Sequence, residues 1–314
     1  MVAAATRKGT RRAGARLTVL SFGGGQDSTA LLYRLAFDPQ TRAEYAPHDL
    51  LLLMSDTGNE HPLTYLHVML VKKFCREHGI EFVFITADMG YHSESWLSLE
   101  HSFDKYDNVM SKCYDRKACT DGLKIQPIYR YLNAHVASRY GYAAEGGKYR
   151  GKRALVEFAA EHGKIDMIIG IAGGEERRIA SDDEIAAQWQ KLSVRRVYPL
   201  AEWGWDRAAC QEYIRSLGMT VPPPSNCMMC PFMDKAELLW LARKYPGVFA
   251  RWVEYERRKQ EKFKHLGDKN YAVLHKRKTL PLVLADAEKE YGEWTLDDLE
   301  RHRFSHGHCV ASKY

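Results

Sequence analysis

The 314 residues predict an α/β protein, a doubly wound and mainly parallel sheet followed by an α-helical C-terminal region. Three observations carry this. Apolar runs of strand length recur through the first two thirds of the chain without polar alternation, as strands buried on both faces require. Segments with apolar residues at helical spacing stand between several of them. Three of the runs end in polar, glycine-bearing stretches, "SFGGGQDS", "SDTGNEHP" and "GIAGGEERR". Ligands of such sheets bind at the carboxyl ends of the strands, so one crevice with three walls is predicted.

The elements follow in order. The first sixteen residues hold five basic residues, no acids and two glycines, which reads as a solvated, disordered tail with a nucleic-acid arm as the alternative. "LTVLSF" from Leu17 is a buried strand, and Asp27 to Phe37 a helix opened by the capping pair Asp27-Ser28. "DLLLLMSDTG" is a second strand, followed by a helix from Pro62 to His78 with proline at its start. "IEFVFITAD" and "KIDMIIGIAGG" are a third and a fourth strand. From about residue 200 aromatic-rich helices take over: "DRAACQEYIRSLG", a rigid connector at Pro222-Pro223-Pro224, and a long helical pattern from Asp234 to His265. This divides the chain into a tail (1–16), a sheet domain (17–200) and a helical region (201–314).

Composition sets the outer limits. With 45% hydrophobic and 27% charged residues the chain is globular, and its formal charge of +6 suits an anionic ligand without demanding one. No run of eighteen apolar residues and no signal-type segment is present, which predicts a soluble, cytoplasmic protein with no membrane partner. Seven cysteines, at 75, 113, 119, 210, 227, 230 and 309, disfavour a disulfide framework in such a chain. Cys75 and Cys210 fall on buried helix faces; Cys227 and Cys230 have the spacing that lets two thiolates converge on a metal or form a redox pair.

The segment "SFGGGQDS" places glycines between a strand and a helix N-terminus, where backbone N–H groups and the helix dipole favour an anion. It lacks the Gly-Lys-Ser/Thr ending of a Walker A loop and the third glycine of a dinucleotide fingerprint. A glycine turn with no ligand is the bland alternative. Two basic clusters with interleaved aromatics, "RWVEYERRKQEKFKH" from Arg251 and "HKRK" from His275, suit nucleic acid. Glu254, Glu256 and Glu261 interrupt the first cluster, and a salt-bridged, solvated helix is the reading preferred for it.

"SFGGGQDST" resembles the PP-loop, the S-G-G-x-D-S signature of ATP pyrophosphatases in the adenine nucleotide α-hydrolase-like superfamily. Phe22 and the additional glycine resemble its PAPS-reductase-like (CysH-like) branch. "SDTGNEHPLT", "CTDGLKIQPI", "GIAGGEERR", "YPLAEWGWDRAAC" and "CMMCPF" are similar to further segments of that branch, in order, with Ala172 where arginine is common. The matches span residues 21 to 232.

This resemblance implies a Rossmann-like, adenine nucleotide α-hydrolase-like fold that binds ATP and Mg²⁺. Ser21, Phe22, Gly23, Gly24, Gly25 and Ser28 would form the phosphate cradle, with Asp27 capping the helix and helping to hold Mg²⁺. Asp56, Thr57 and Gly170 would border the adenosine half, and Lys124, Arg177 and Arg178 would supply cations. For Arg178 an ion pair with Glu175 is the alternative. Cys113, Cys119, Cys227 and Cys230 would hold a [4Fe–4S] cluster, although Cys113 and Cys119 are six residues apart where related reductases have adjacent cysteines; zinc and no metal stay open.

Two chemistries compete within the resemblance. An ATP pyrophosphatase would adenylate an acceptor, releasing PPi, in sulfur transfer or nucleic-acid modification. A phosphoadenosine (or adenosine) phosphosulfate reductase would use a cysteine nucleophile; Cys309 in "SHGHCVASKY" is the C-terminal candidate, but its neighbours depart from the family's E-C-G-x-H tail. The retained glycines and Asp27-Ser28 favour ATP. The implied partners are an adenine nucleotide, a sulfur donor, DNA or RNA, and a second copy in a homodimer. A non-catalytic nucleotide-binding accessory of a phage, plasmid or CRISPR system is the third alternative.

Overall fold

A computed structural model describes residues 15–114, 118–179, 185 and 187–305. Five parallel strands form one sheet: β1 (Leu17–Ser21), β2 (Asp49–Ser55), β3 (Glu81–Ile85), β4 (Ile165–Ile169) and β5 (Val194–Val197). Their order is β3-β2-β1-β4-β5. Val19 pairs with Leu51 on one side and Met167 on the other, so β1 is central. Order reverses between β1 and β4, because the chain leaves β1 toward β2 and β3 and returns to the opposite side of β1.

Helices cover both faces. Leu20, Leu52 and Ile168 pack with the Gln26–Phe37, Pro62–Glu77 and Arg207–Ser216 helices, burying Leu31, Val71 and Ile214. Val19, Leu51 and Met167 alternate to the other face, against Leu132, Val136 and Phe158 of the Gln126–Tyr140 and Arg153–His162 helices. Two-sided burial explains why β2 is apolar at five consecutive positions.

The predicted four strands are present, and β5 is the one the sequence did not announce. Its "VRRV" looks polar because Arg195 reaches back to Asp166 of β4, with Nε and Nη2 at 2.6 and 2.7 Å from the two carboxylate oxygens. An edge strand paired on one side tolerates this.

The expected long helix from Asp234 to His265 is two helices, Lys235–Lys244 and Pro246–Lys262. Pro246 opens the second because it cannot continue the first. With Leu280–Tyr291 and Leu296–Ser305 they enclose a separate core around Trp240 and Trp252, which also takes Leu99, Phe103 and Leu123 from before residue 200. Ala15 is already buried and Arg16 pairs with Asp49 at 3.5 Å. Residues 1–14 and Cys309 lie outside the described residues. No helix among the described residues is long and apolar enough to cross a membrane.

Candidate nucleotide-binding site

The loop after β1 opens into a cleft at the strand-order reversal. Gly24 has φ +73°, and a Cβ there would stand 3.1 Å from both Met54 Cε and Thr64 Cγ2, so conformation and space both demand glycine. Gly25 is the N-cap of the Gln26–Phe37 helix, and its own side-chain position is closed by Ser225 at 3.3 Å. Ser28 Oγ accepts from Gly23 N at 3.3 Å and donates to Gly25 O at 3.2 Å, which locks the loop. A Cβ on Gly170, at the end of β4, would meet Ser28 N at 3.2 Å. Ser21, Gly23, Gly25, Ser28 and Gly170 all line the cleft. The first-turn N–H groups of a helix have no intrahelical partner, and here they stand at an anion-sized cradle.

Charge is arranged around Asp27. Arg207 Nη2 lies 3.4 Å from Asp27 Oδ2 and 3.3 Å from Glu175 Oε1, and Glu175 also pairs with Arg178. Burial pushes the Asp27 carboxyl above its ordinary value, opposed by the Arg207 charge. Asp27 Oδ1 is buried without a hydrogen-bond partner. A partnerless carboxylate oxygen beside a phosphate cradle suits a hard cation such as Mg²⁺. Lys124 enters from the opposite wall on a single π turn, Asp121–Ile125, held by Ser55 Oγ donating to Leu123 O at 2.5 Å. Its Nζ is 3.2 Å from Glu60 Oε1, a fully buried carboxylate.

Among the comparisons with known proteins, no curated protein matched. A sequence profile described as "Phosphoadenosine phosphosulfate reductase domain" matches residues 17–223. The chain belongs to this family. Among solved structures, the phosphoadenylyl-sulfate reductase of Candida auris, a phosphate complex, is similar at 16% identity and TM-score 0.36, over 67% of this chain and 76% of that one. The U34-tRNA thiolase NcsA of Methanococcus maripaludis with its [4Fe-4S] cluster is similar at 15% identity and TM-score 0.36, over 90% and 83%.

In this phosphosulfate-reductase-domain protein several expected site residues stand elsewhere. Phe22 is buried against His67 and Phe82, and Gly24 faces Met54 and Thr64, so neither lines the cleft. Asp56 Oδ1 accepts from Gly58 N and Tyr65 Oη, both at 2.8 Å, and Thr57 Oγ1 donates to Glu60 at 3.1 Å. Those side chains brace their own turn; Met54 and Ser55 line the wall instead. Arg177 is exposed outside the cleft, whereas Arg178 lines it and also makes the ion pair with Glu175.

Three of the four candidate cysteines, Cys119, Cys227 and Cys230, belong to the C-terminal core cluster. Cys227 Sγ is 3.4 Å from Thr57 Oγ1 and 3.8 Å from Glu60 Oε1, Cys230 is buried in the C-terminal core, and Cys119 packs on that core's edge. Cys113 stands near Lys259. Among the described residues no group of three or more Cys, His, Asp or Glu side chains is placed to hold a metal. The cations of the Pro246–Lys262 helix are paired: Arg251 with Glu100 at 3.2 Å, Arg257 with Glu254 at 2.7 Å, Arg258 with Asp104 at 2.8 Å.

Sequence reasoning missed Arg207, Arg196, Gln190, Ser225 and Asn226, all of which line the cleft. Arg207 had a signal, since it follows the helix-capping Asp206 within a segment already singled out. The others come from the Gln188–Ser193 helix, β5 and the stretch after the proline run, which carry no ligand motif of their own.

Proposed function

We propose that the chain is an ATP pyrophosphatase that adenylates an acceptor. The observation that carries this reading is the intact glycine cradle beside Asp27, whose Oδ1 has no protein partner. A cradle for a terminal pyrophosphate and a carboxylate for its cation are needed where a phosphoanhydride is broken, and not where a sulfonyl group alone is moved.

The helix N-terminus and Ser28 orient the leaving β- and γ-phosphates, and Gly170 admits the nucleotide close to the sheet. The acceptor oxygen attacks the α-phosphorus; the bond to the bridging oxygen breaks and PPi departs with that electron pair. A nucleophile such as sulfur then displaces AMP from the adenylated acceptor. Lys124 stabilises the charge that develops on the phosphoryl oxygens, and Arg207 binds the phosphates in ground and transition states alike. Mg²⁺, held by Asp27, would supply further neutralisation of the phosphates. The cleft walls bring nucleotide and acceptor together, which lowers the entropic part of the barrier.

Incubation with Mg-ATP and candidate acceptors, followed by assay of AMP and PPi, tests the reading. Stoichiometric AMP and PPi supports it. Thiol-dependent sulfite release from phosphoadenosine phosphosulfate, with no AMP formed from ATP, would replace it with the reductase reading.

A further inference from the structure

Among the described residues, one group of cations without a salt-bridge partner adjoins the cleft. Arg130 of the Gln126–Tyr140 helix acts on Lys152, which follows Lys148 and Arg150 in the segment leading into the Arg153–His162 helix, and none of the four forms a salt bridge among the described residues. Arg130, Lys148 and Arg150 are exposed. Of the nearby acids among the described residues, Glu157 is taken by Arg153 at 2.7 Å, and Glu145 acts on Lys152. On the Pro246–Lys262 helix four of the five cations, Arg251, Arg257, Arg258 and Lys262, have carboxylate partners, and Lys259 donates to Tyr271 O. Net positive potential therefore gathers on the first surface and not on the second.

Aromatic rings are interleaved with these cations. Lys148 Nζ lies 5.5 Å from the Tyr149 ring and Lys152 Nζ 5.5 Å from the Trp189 ring. Trp189 in turn meets Tyr129 edge to face at 5.0 Å, and Tyr129, bonded to Gln190 at 2.8 Å, lines the nucleotide cleft. A line of contacts thus runs from the basic surface through two rings into the site. Lys152 is held down to about 8 by burial and by the charge of Arg130, an arrangement that an incoming anion would relieve.

We propose that this surface binds a single-stranded nucleic acid and presents it to the cleft. Phosphates pair with the four cations, and bases stack on Tyr149 and Trp189, which requires bases free of a duplex. The further step, that this strand is the acceptor of adenylation, rests on the function proposed above; the binding does not.

Anisotropy of labelled oligonucleotides of about 12 nucleotides, without ATP, tests the binding with the full-length protein. Single strands of RNA and DNA are compared with the same sequence as a duplex. Four phosphate contacts predict a slope of log K against log salt of about −3, and Lys148→Glu with Arg150→Glu should flatten it by about half and weaken binding at least tenfold. Tyr149→Ala should weaken binding roughly tenfold with the slope unchanged. Arg257→Glu should leave binding as it is, and melting curves confirm that each variant is folded. Tighter binding of the duplex, indifference to salt, or an unaffected double variant overturns the proposal. If the strand binds as described and no AMP forms from ATP, the adenylation reading fails and the surface stands; AMP formed with a small acceptor and no strand bound has the opposite meaning.

Discussion

Arg207 Nη2 stands 3.4 Å from Asp27 Oδ2 while the other oxygen of that carboxylate has no partner. One side of Asp27 is thus satisfied by the protein and the other is left for a cation. Asp27→Asn keeps the size of the side chain and removes its charge. The Mg²⁺-dependent rate of AMP formation should fall by about 10²–10³, the scale of losing one charge-stabilising group in a preorganised site. Titration of activity with Mg²⁺ checks it; an unchanged Mg²⁺ requirement would place the cation elsewhere.

Arg207→Gln is expected to act differently. The cap from Asp206 to Ala209 N at 2.8 Å remains, so the helix forms, but the cleft loses a cation that faces the phosphates in ground and transition states alike. KM for ATP should rise by about tenfold with a smaller change in kcat, the signature of uniform binding.

Gly24→Ala meets two obstacles at once, a positive φ and contacts at 3.1 Å on two sides. Loss of about 1–3 kcal/mol of stability is expected, together with loss of nucleotide binding. Thermal melts with and without ATP measure both; a variant that melts normally and still gains stability from ATP would show that the loop does not need this geometry.

His67 is buried behind the loop, with Nε2 2.9 Å from Thr29 Oγ1, and burial lowers its pKa to about 4. The folded state therefore resists a proton that the unfolded chain takes up near 6.5. This contribution is complete above about pH 6.5 and is lost as pH falls toward 4, amounting to roughly 3 kcal/mol over that window. Denaturant titrations between pH 4 and 7 should show the slope, and His67→Gln should flatten it.

Trp252 is fully buried at the centre of the C-terminal core. Trp252→Ala should cost about 3–5 kcal/mol. Because the same core holds Leu123, next to Lys124 on the π turn, the mutation should also weaken the cleft's lysine wall, seen as reduced AMP formation at temperatures below the melt.

The sheet was legible in the sequence where strands are buried on both faces, as β1, β2 and β4 are, and β3 was legible from its apolar residues although it is a half-buried edge strand. The strand β5 was hidden because Arg195 serves a neighbour, Asp166, that lies 29 residues earlier, and Arg196 lines the cleft. The cradle was legible for a similar reason: Gly23, Gly25, Ser28 and Gly170 are local requirements of a loop and a strand end. Arg207, Ser225 and Asn226 were not, since what makes them part of the site is the approach of segments about 180 to 200 residues away from the loop, and no local spacing records that. Asp56 failed in the opposite sense, since a residue type suited to ligands is occupied by Tyr65 and Gly58 of its own turn.

Gln26, the first residue of the loop's helix, is held by Nε2 donating to Pro222 O at 3.1 Å and Phe304 O at 3.3 Å, and by Oε1 accepting from Gln211 at 2.9 Å. During synthesis the glycines emerge long before Gln211 and Pro222, and those before Phe304. A nascent chain that has completed its central strands still lacks the wall at Ser225 and the grip on Gln26. The loop therefore reaches its final form only when the Leu296–Ser305 helix has docked on it, although every strand of the sheet is already complete at Val197.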